Sequence, residues 1–178
     1  FAGRLLISKG VHSFLGLDEI FKSFSNYVDF PPIHSIVYGS IDSQSQDSLD
    51  RSVIESWVSA GRGSTFWRWD LDPLLDALKS YSPILIVPTS YAEGFPRGIA
   101  EAMALKIPVI TCWRYSRYTF PPGSVKISTP DPLSIFDCVR QIIDESSNGG
   151  LTKSLSSSQL ISKQLFSSDT IVAQTSNL

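Results

Sequence analysis

The run Ile84-Leu85-Ile86-Val87-Pro88-Thr89-Ser90-Tyr91-Ala92-Glu93-Gly94-Phe95-Pro96-Arg97-Gly98-Ile99-Ala100-Glu101-Ala102-Met103-Ala104 contains the clearest structural signals in the chain. Ile84 to Val87 is an uninterrupted apolar segment, as expected of a parallel strand covered on both faces. Pro96 suits the first turn of a helix, where its fixed φ fits and its missing N–H costs nothing. The spacing of Ile99, Ala102 and Met103 predicts a helix from about Pro96 to Leu105. Val109 to Cys112 then reads as another buried strand. Strand, turn, helix and strand with short connections make a βαβ unit.

The alternation extends in both directions. Phe1 to Leu6 reads as a strand, and Val11, Phe14, Leu15 and Phe21 recur at helical spacing. Ile33 to Tyr38 is a second strand, ended by Gly39-Ser40. Leu49, Val53, Ile54, Trp57 and Val58 mark a helix stopped by Gly61 and Gly63. Thr65 to Trp67 is a strand, and Leu71, Leu74, Leu75 and Leu78 form a helical stripe. Val125 to Ser128 is a sixth strand, and a helix over Leu133 to Ile143 starts after Asp131-Pro132. The expected fold class is α/β, a Rossmann-like parallel sheet with helices on both faces. Ligands of such sheets bind beyond the carboxyl ends of the strands. The loops to search are therefore 3–10, 39–45, 67–70, 89–97 and 112–123.

After Ser146 the composition shifts to Ser, Asn and Gly, with a serine cluster from Ser154 to Ser158. Leu160, Ile161, Leu165, Ile171, Val172 and Leu178 keep enough apolar spacing for two amphipathic helices. The expectation is a domain over 1–150 with a helical extension over 151–178. The chain opens Phe1-Ala2-Gly3-Arg4, without Met and inside a strand pattern, so it reads as a piece of a longer protein with its first strand cut short.

With 178 residues and 42% apolar content, the chain can bury a sizeable core. Its 15 Lys+Arg against 17 Asp+Glu leave a net charge of -2, which argues against a nucleic-acid partner but not against one phosphate pocket. No apolar run approaches the ~20 residues of a membrane-spanning helix. Cys112 and Cys138 have no metal-ligand spacing and read as buried thiols in a reducing compartment. His12 and His34 share no metal spacing with acids and read as structural, although His12 follows Lys9 by about one turn.

The turn before Ala104 carries the chemistry. Free amides of Phe95, Arg97 and Gly98 at a helix start, with the positive end of the helix dipole, suit an anionic or hydroxyl-rich ligand. Glu93 and Glu101 flank this turn. Each reads either as an ordinary acid near a helix start or as a carboxylate that accepts from adjacent sugar hydroxyls. A hydrolase would need the pair to face each other across a sugar at roughly 5–9 Å, which one wall of a cleft rarely allows. At the other strand-to-helix junction, Arg4 and Lys9 read either as solvated surface charges or as two cations able to neutralise a diphosphate.

The Glu93-x7-Glu101 spacing, preceded by Pro88-Thr89-Ser90 and followed by Glu101-Ala102-Met103-Ala104 and Pro108-Val109-Ile110, resembles the retaining glycosyltransferases of family four, which have the two-domain GT-B fold. Gly3-Arg4-Leu5-Leu6-Ile7-Ser8-Lys9-Gly10 is similar to that family's Gly-Arg, Lys-Gly loop. Ile36-Val37-Tyr38-Gly39 and the closing segment Phe166 to Leu178 resemble it more loosely. The resemblance implies the C-terminal, donor-binding half of a hexosyltransferase that takes a sugar from a nucleoside-diphosphate sugar. It implies that Arg4 and Lys9 hold the donor diphosphate, that Glu93 contacts the donor sugar as the catalytic carboxylate, and that Glu101 holds the nucleotide ribose. Gly94, Phe95, Arg97 and Gly98 would complete the donor site. Trp67 and Arg68 fall where the family places the nucleobase.

The resemblance further implies no cofactor and no metal. The acceptor, a glycan or a lipid, would be chosen by an absent N-terminal domain. Work in polysaccharide or glycolipid synthesis in the cytoplasm follows, with any peripheral contact at the inner membrane face made through that other half. The reading from a different class is a non-catalytic module that binds a nucleotide or sugar. The chain departs from the family pattern at two places. Lys106 stands where a glycine usually ends the helix. Trp113-Arg114-Tyr115-Ser116-Arg117-Tyr118 replaces a Gly-Gly loop, where Arg114 or Arg117 could add a phosphate contact. No dinucleotide fingerprint or phosphate loop is present, which removes nicotinamide dehydrogenases and kinases.

Overall fold

The computed structural model of the chain describes residues 1–24, 30–67, 69–90, 97–112 and 125–165. In chain order the elements are β1 (Ala2–Arg4), α1 (Val11–Phe24), β2 (Ser35–Ser40), α2 (Arg51–Ser59), β3 (Gly63–Trp67), α3 (Leu71–Leu78), β4 (Leu85–Val87), α4 (Arg97–Ala104), β5 (Val109–Thr111), β6 (Val125–Ile127), α5 (Pro132–Ser147) and α6 (Gly150–Leu165). Two parallel ladders, β1-β2-β3 and β4-β5-β6, meet where β1 lies beside β4. The strand order in space is thus β3-β2-β1-β4-β5-β6. The chain reverses its direction of winding between β1 and β4, and the crevice beyond their carboxyl ends is where such folds bind ligands.

Strand alternation sends successive side chains to opposite faces. Ile86 and Ile110 pack with Phe14, Leu17 and Phe21 of α1 and with Ile135, Phe136 and Val139 of α5. Val87, Val109 and Val125 pack instead with Ile99, Ala102 and Met103 of α4. Helices therefore cover both faces, as the apolar runs predict. Phe21, Phe24 and Phe30 surround Phe136, with Phe24 and Phe136 ring centres 4.5 Å apart. Cys112 and Cys138 are both buried thiols, and burial pushes the Cys138 thiol up.

Polar side chains begin two of the helices. Asp50 accepts from the Ser52 amide at 2.8 Å to start α2. Asp131 accepts from the Ser134 amide at 2.9 Å, with Pro132 at the first turn of α5. The hydrogen bond from the Thr129 hydroxyl, together with that amide, holds the Asp131 carboxyl down at about 2.

Two local readings change. Gly39 and Ser40 belong to β2 rather than ending it, because Gly39 pairs with Gly3. A β-carbon at Gly39 would lie 1.9 Å from the Gly3 carbonyl oxygen, so glycine is what lets the two strands pair there. Helix α4 ends with Lys106 itself in the left-handed region, at φ 58°. The Ile107 amide donates to Ala102 O at 2.8 Å and the Lys106 amide to Met103 O at 3.1 Å, the closing pattern that glycine usually serves. The expected helical extension forms, with Ser154 to Ser158 inside one helix, α6, which starts at Gly150. That helix is seated on the domain: Leu151 joins the core, and Gln159 Nε2 donates to the Ala104 carbonyl at 2.8 Å. The expected second tail helix, over Ile171 to Leu178, lies outside the described residues.

Candidate functional site at the carboxyl ends of β1 and β4

After β1 the chain does not enter α1 directly. Residues 5–10 form a compact turn in which the Lys9 amide donates to Leu6 O at 3.1 Å and the Gly10 amide to Ile7 O at 2.8 Å. Gly10 has φ +75°, and a β-carbon there would lie 2.0 Å from the Pro88 carbonyl oxygen. Only glycine permits that approach. The Ser8 carbonyl then accepts from the Ser90 amide at 3.2 Å, and from the hydroxyls of Thr89 and Ser90, each at 3.4 Å. The loop that carries Lys9 is thereby stitched to the segment leaving β4. These are the two segments singled out in the sequence, and the fold places them together.

The loop after β2 holds the same turn from the other side. The Ile7 amide donates to Asp47 O at 2.8 Å, and Leu6 bridges Ser48. Both Asp47 carboxylate oxygens accept from the Ser8 amide, at 3.3 and 3.1 Å, and one also accepts from the Ser8 hydroxyl. Nearby, Arg4 Nη1 donates to Asp42 Oδ2 at 3.1 Å. The Arg4 side chain is 59% exposed, so this pair is worth no more than about 1 kcal/mol and leaves the guanidinium accessible to a doubly charged ligand. Lys9, five residues later in the same loop, is half-buried.

On the β4 side, α4 starts at Arg97, with Arg97 exposed and Gly98 half-buried. Among the described residues, nothing lies within 4 Å of where a Gly98 β-carbon would stand. A helix start, through its first amides and its dipole, favours an anion. Glu101 is exposed one turn further along. Glu93, Gly94 and Phe95 lie outside the described residues, as do Arg68, Arg114 and Arg117.

At the end of β3, Trp67 is half-buried rather than open. The Arg51 guanidinium sits 4.6 Å from its ring centre, and Trp69 stacks on it at 6.0 Å and 23°. Asp70 fixes the turn by accepting from the Trp67 amide at 2.9 Å. The aromatic surface offered to solvent there belongs to Trp69, which is 71% exposed.

The two histidines lie elsewhere. His34 stacks on Tyr81 at 5.7 Å and shares a hydrogen bond with Ser64 Oγ at 3.0 Å. His12 borders a cavity between α1 and α2 with Glu19, Trp57 and Arg62. A larger cavity of about 490 Å³ lies at the amino ends of the strands, lined by Phe1, Ile36, Leu74, Tyr81 and Leu85 among others. Its apolar lining and its position at the opposite end of the sheet from the stitched loops separate it from this site. Among the described residues no group of three His, Cys, Asp or Glu could hold a metal ion. No helix among them is long and apolar enough to cross a membrane.

Asp42 and Asp47 are absent from the residues singled out above. Their signal was present in the acid- and serine-rich run Asp42-Ser43-Gln44-Ser45-Gln46-Asp47-Ser48. Such a run reads equally well as a solvated loop, so only the fold shows that it grips Ser8.

No protein-family model matches the chain, and no curated protein matches it. Solved structures do. The structure of Anabaena Alr3699/HepE in complex with UDP aligns with a TM-score of 0.69 at 19% identity, over 99% of this chain and 48% of that one. Sucrose-phosphate synthase from Thermosynechococcus elongatus aligns with a TM-score of 0.70 at 19% identity, over 99% of this chain and 43% of that one. The chain thus spans about half the length of these structures. The likeness shows the fold, a Rossmann-like domain of the GT-B type.

Proposed function

We propose that this chain is the donor-binding half of a retaining hexosyltransferase, which passes a sugar from a nucleoside-diphosphate sugar to an acceptor hydroxyl. One observation carries the reading. The Arg4–Lys9 loop and the Pro88–Ser90 exit of β4 are hydrogen-bonded to each other at the point where the winding of the chain reverses. An anion there meets two cations and the start of α4 from one crevice. The UDP-bound neighbour of the same fold supports the same chemistry.

In this reading Arg4 and Lys9 stabilise the charge that develops on the leaving diphosphate, and the amides of Phe95, Arg97 and Gly98 add fixed dipoles. Glu101 accepts from the ribose hydroxyls. Glu93 orients the donor sugar, with Gly94 giving the backbone room to approach it. The bond from the anomeric carbon to the phosphate oxygen breaks as the bond to the acceptor oxygen forms on the same face. Attack on the same face retains the anomeric configuration, and the departing phosphate takes the acceptor proton. Two fixed cations do here what a metal ion does in other transferases, so the reading assigns no cofactor. The acceptor, glycan or lipid, is chosen by the other half of the protein, and any peripheral membrane contact is made there in the cytoplasm.

The test is titration of this chain with UDP, GDP, ADP and their sugar conjugates, followed by donor turnover in a protein that includes the acceptor half. Binding of one diphosphate, with a product of retained configuration, supports the proposal. Binding without turnover of any donor would favour a nucleotide-binding module. Absence of binding to all of them contradicts both.

A further inference from the structure

We propose that Asp47 is a positioning residue for the diphosphate site: by gripping Ser8 it sets where Lys9 stands relative to the exit of β4. The proposal rests on the donor-site reading above. Asp47 lies on the loop after β2, yet its carboxylate accepts from the Ser8 amide with both oxygens and from the Ser8 hydroxyl with one. Its carbonyl accepts from the Ile7 amide at 2.8 Å. Ser8 is bound on its other side too, since its carbonyl accepts from Thr89 and Ser90. A continuous path of hydrogen bonds therefore runs from Asp47 through Ser8 to Thr89 and Ser90, across the carboxyl ends of β2, β1 and β4.

Two physical arguments raise this above an ordinary loop contact. First, a carboxylate close to a diphosphate site repels the ligand, and removing it should tighten binding if it did nothing else. Its interaction with three donor–acceptor contacts on one residue offsets that repulsion by fixing the loop, because hydrogen bonds to a charged acceptor are stronger than neutral ones. Second, Lys9 and Gly10 follow Ser8 directly, and Gly10 is in close contact with Pro88. A displaced Ser8 therefore moves Lys9 and loosens Ser90, which precedes the start of α4. Affinity gained from a cation held in place is lost when the cation must be ordered on binding.

The experiment titrates the wild-type chain and its variants with UDP, GDP and ADP, and with uridine, guanosine and adenosine, well below each melting temperature. Asp47→Ala is expected to weaken diphosphate binding about tenfold, while nucleoside binding changes by less than about twofold. Asp47→Asn keeps an acceptor for the Ser8 amide and should recover most of the loss. Ser8→Ala, which removes the hydroxyl alone, should fall between. Asp50→Ala serves as the control: it removes the α2 cap from the same loop, and should lower the melting temperature without changing diphosphate affinity. Should Asp47→Ala fail to fold, Ser8→Ala carries the comparison, and unchanged or tighter diphosphate binding by it would overturn the proposal. Equal or tighter diphosphate binding by Asp47→Ala and Asp47→Asn would overturn the proposal and leave Asp47 as a repelling charge. Failure of the wild-type chain to bind any diphosphate would be a different result, overturning the donor-site reading itself.

Discussion

Gly10 approaches Pro88 so closely that a β-carbon on it would lie 2.0 Å from the Pro88 carbonyl oxygen and 2.6 Å from the carbonyl carbon. Both atoms are backbone, so no side chain can swing away to make room. The contact joins the turn after β1 to the exit of β4, and with it the two halves of the sheet.

Gly10→Ala should therefore be costly twice over, through its left-handed backbone at φ +75° and through the overlap. The expected loss is at least about 2 kcal/mol of unfolding free energy, read from the denaturant midpoint. Gly61→Ala gives the comparison. Gly61 has φ +67° but, among the described residues, nothing within 4 Å, so its alanine should cost only the backbone penalty, about 1 kcal/mol. Equal costs at the two positions would mean that the loops are not in contact.

Lys106 offers the opposite experiment. It holds φ 58° at the end of α4, where the hydrogen bonds to Ala102 and Met103 require a left-handed residue. Lys106→Gly should raise stability by about 0.5–1 kcal/mol, the relief of the left-handed conformation less the greater freedom of glycine in the unfolded chain. A thermal melt at neutral pH measures it, and a loss of stability would contradict the assigned helix end.

The start of α5 should be sensitive to acid. The Asp131 carboxyl ionises at about 2 when folded, against an unfolded value of 3.8, because Thr129 and the Ser134 amide donate to it. A depressed pKa means that the folded state favours the charged form. Its contribution is complete above about pH 4 and is lost as the pH falls through 2. Asp131→Ala should then lower the melting temperature by a constant amount from pH 7 to about pH 4, and the difference should shrink toward pH 2. Asp18 acts with the opposite sign. Burial raises its carboxyl despite the 2.7 Å hydrogen bond from Ser35, so it costs stability as the pH rises above 3.8.

Much of this was legible in the sequence because its causes are local. Ile84 to Val87 is apolar without interruption since both its faces are covered, and Asp131-Pro132 announces α5 because capping chemistry works within a few residues. Gly39 was misread because glycine in isolation signals a turn, whereas its reason here is the Gly3 carbonyl across the ladder. The extension after Gly150 was legible in the spacing of Leu160, Ile161 and Leu165 despite its serine-rich composition, and α4 and α5 support it in the fold. Within the site, Arg4 and Lys9 stood out by charge at a strand end. Asp47 did not, because its partner Ser8 is 39 positions away in the chain.

The most direct measurement is the diphosphate affinity of the chain against that of its Arg4→Ala and Lys9→Ala variants, at two salt concentrations. The account predicts that the wild type binds one of UDP, GDP or ADP more tightly than the corresponding nucleoside. Each variant should lose about tenfold or more of that difference, and higher salt should weaken the wild type most. Diphosphate binding that survives both substitutions unchanged, or a wild type that binds nucleoside and diphosphate equally, would contradict it.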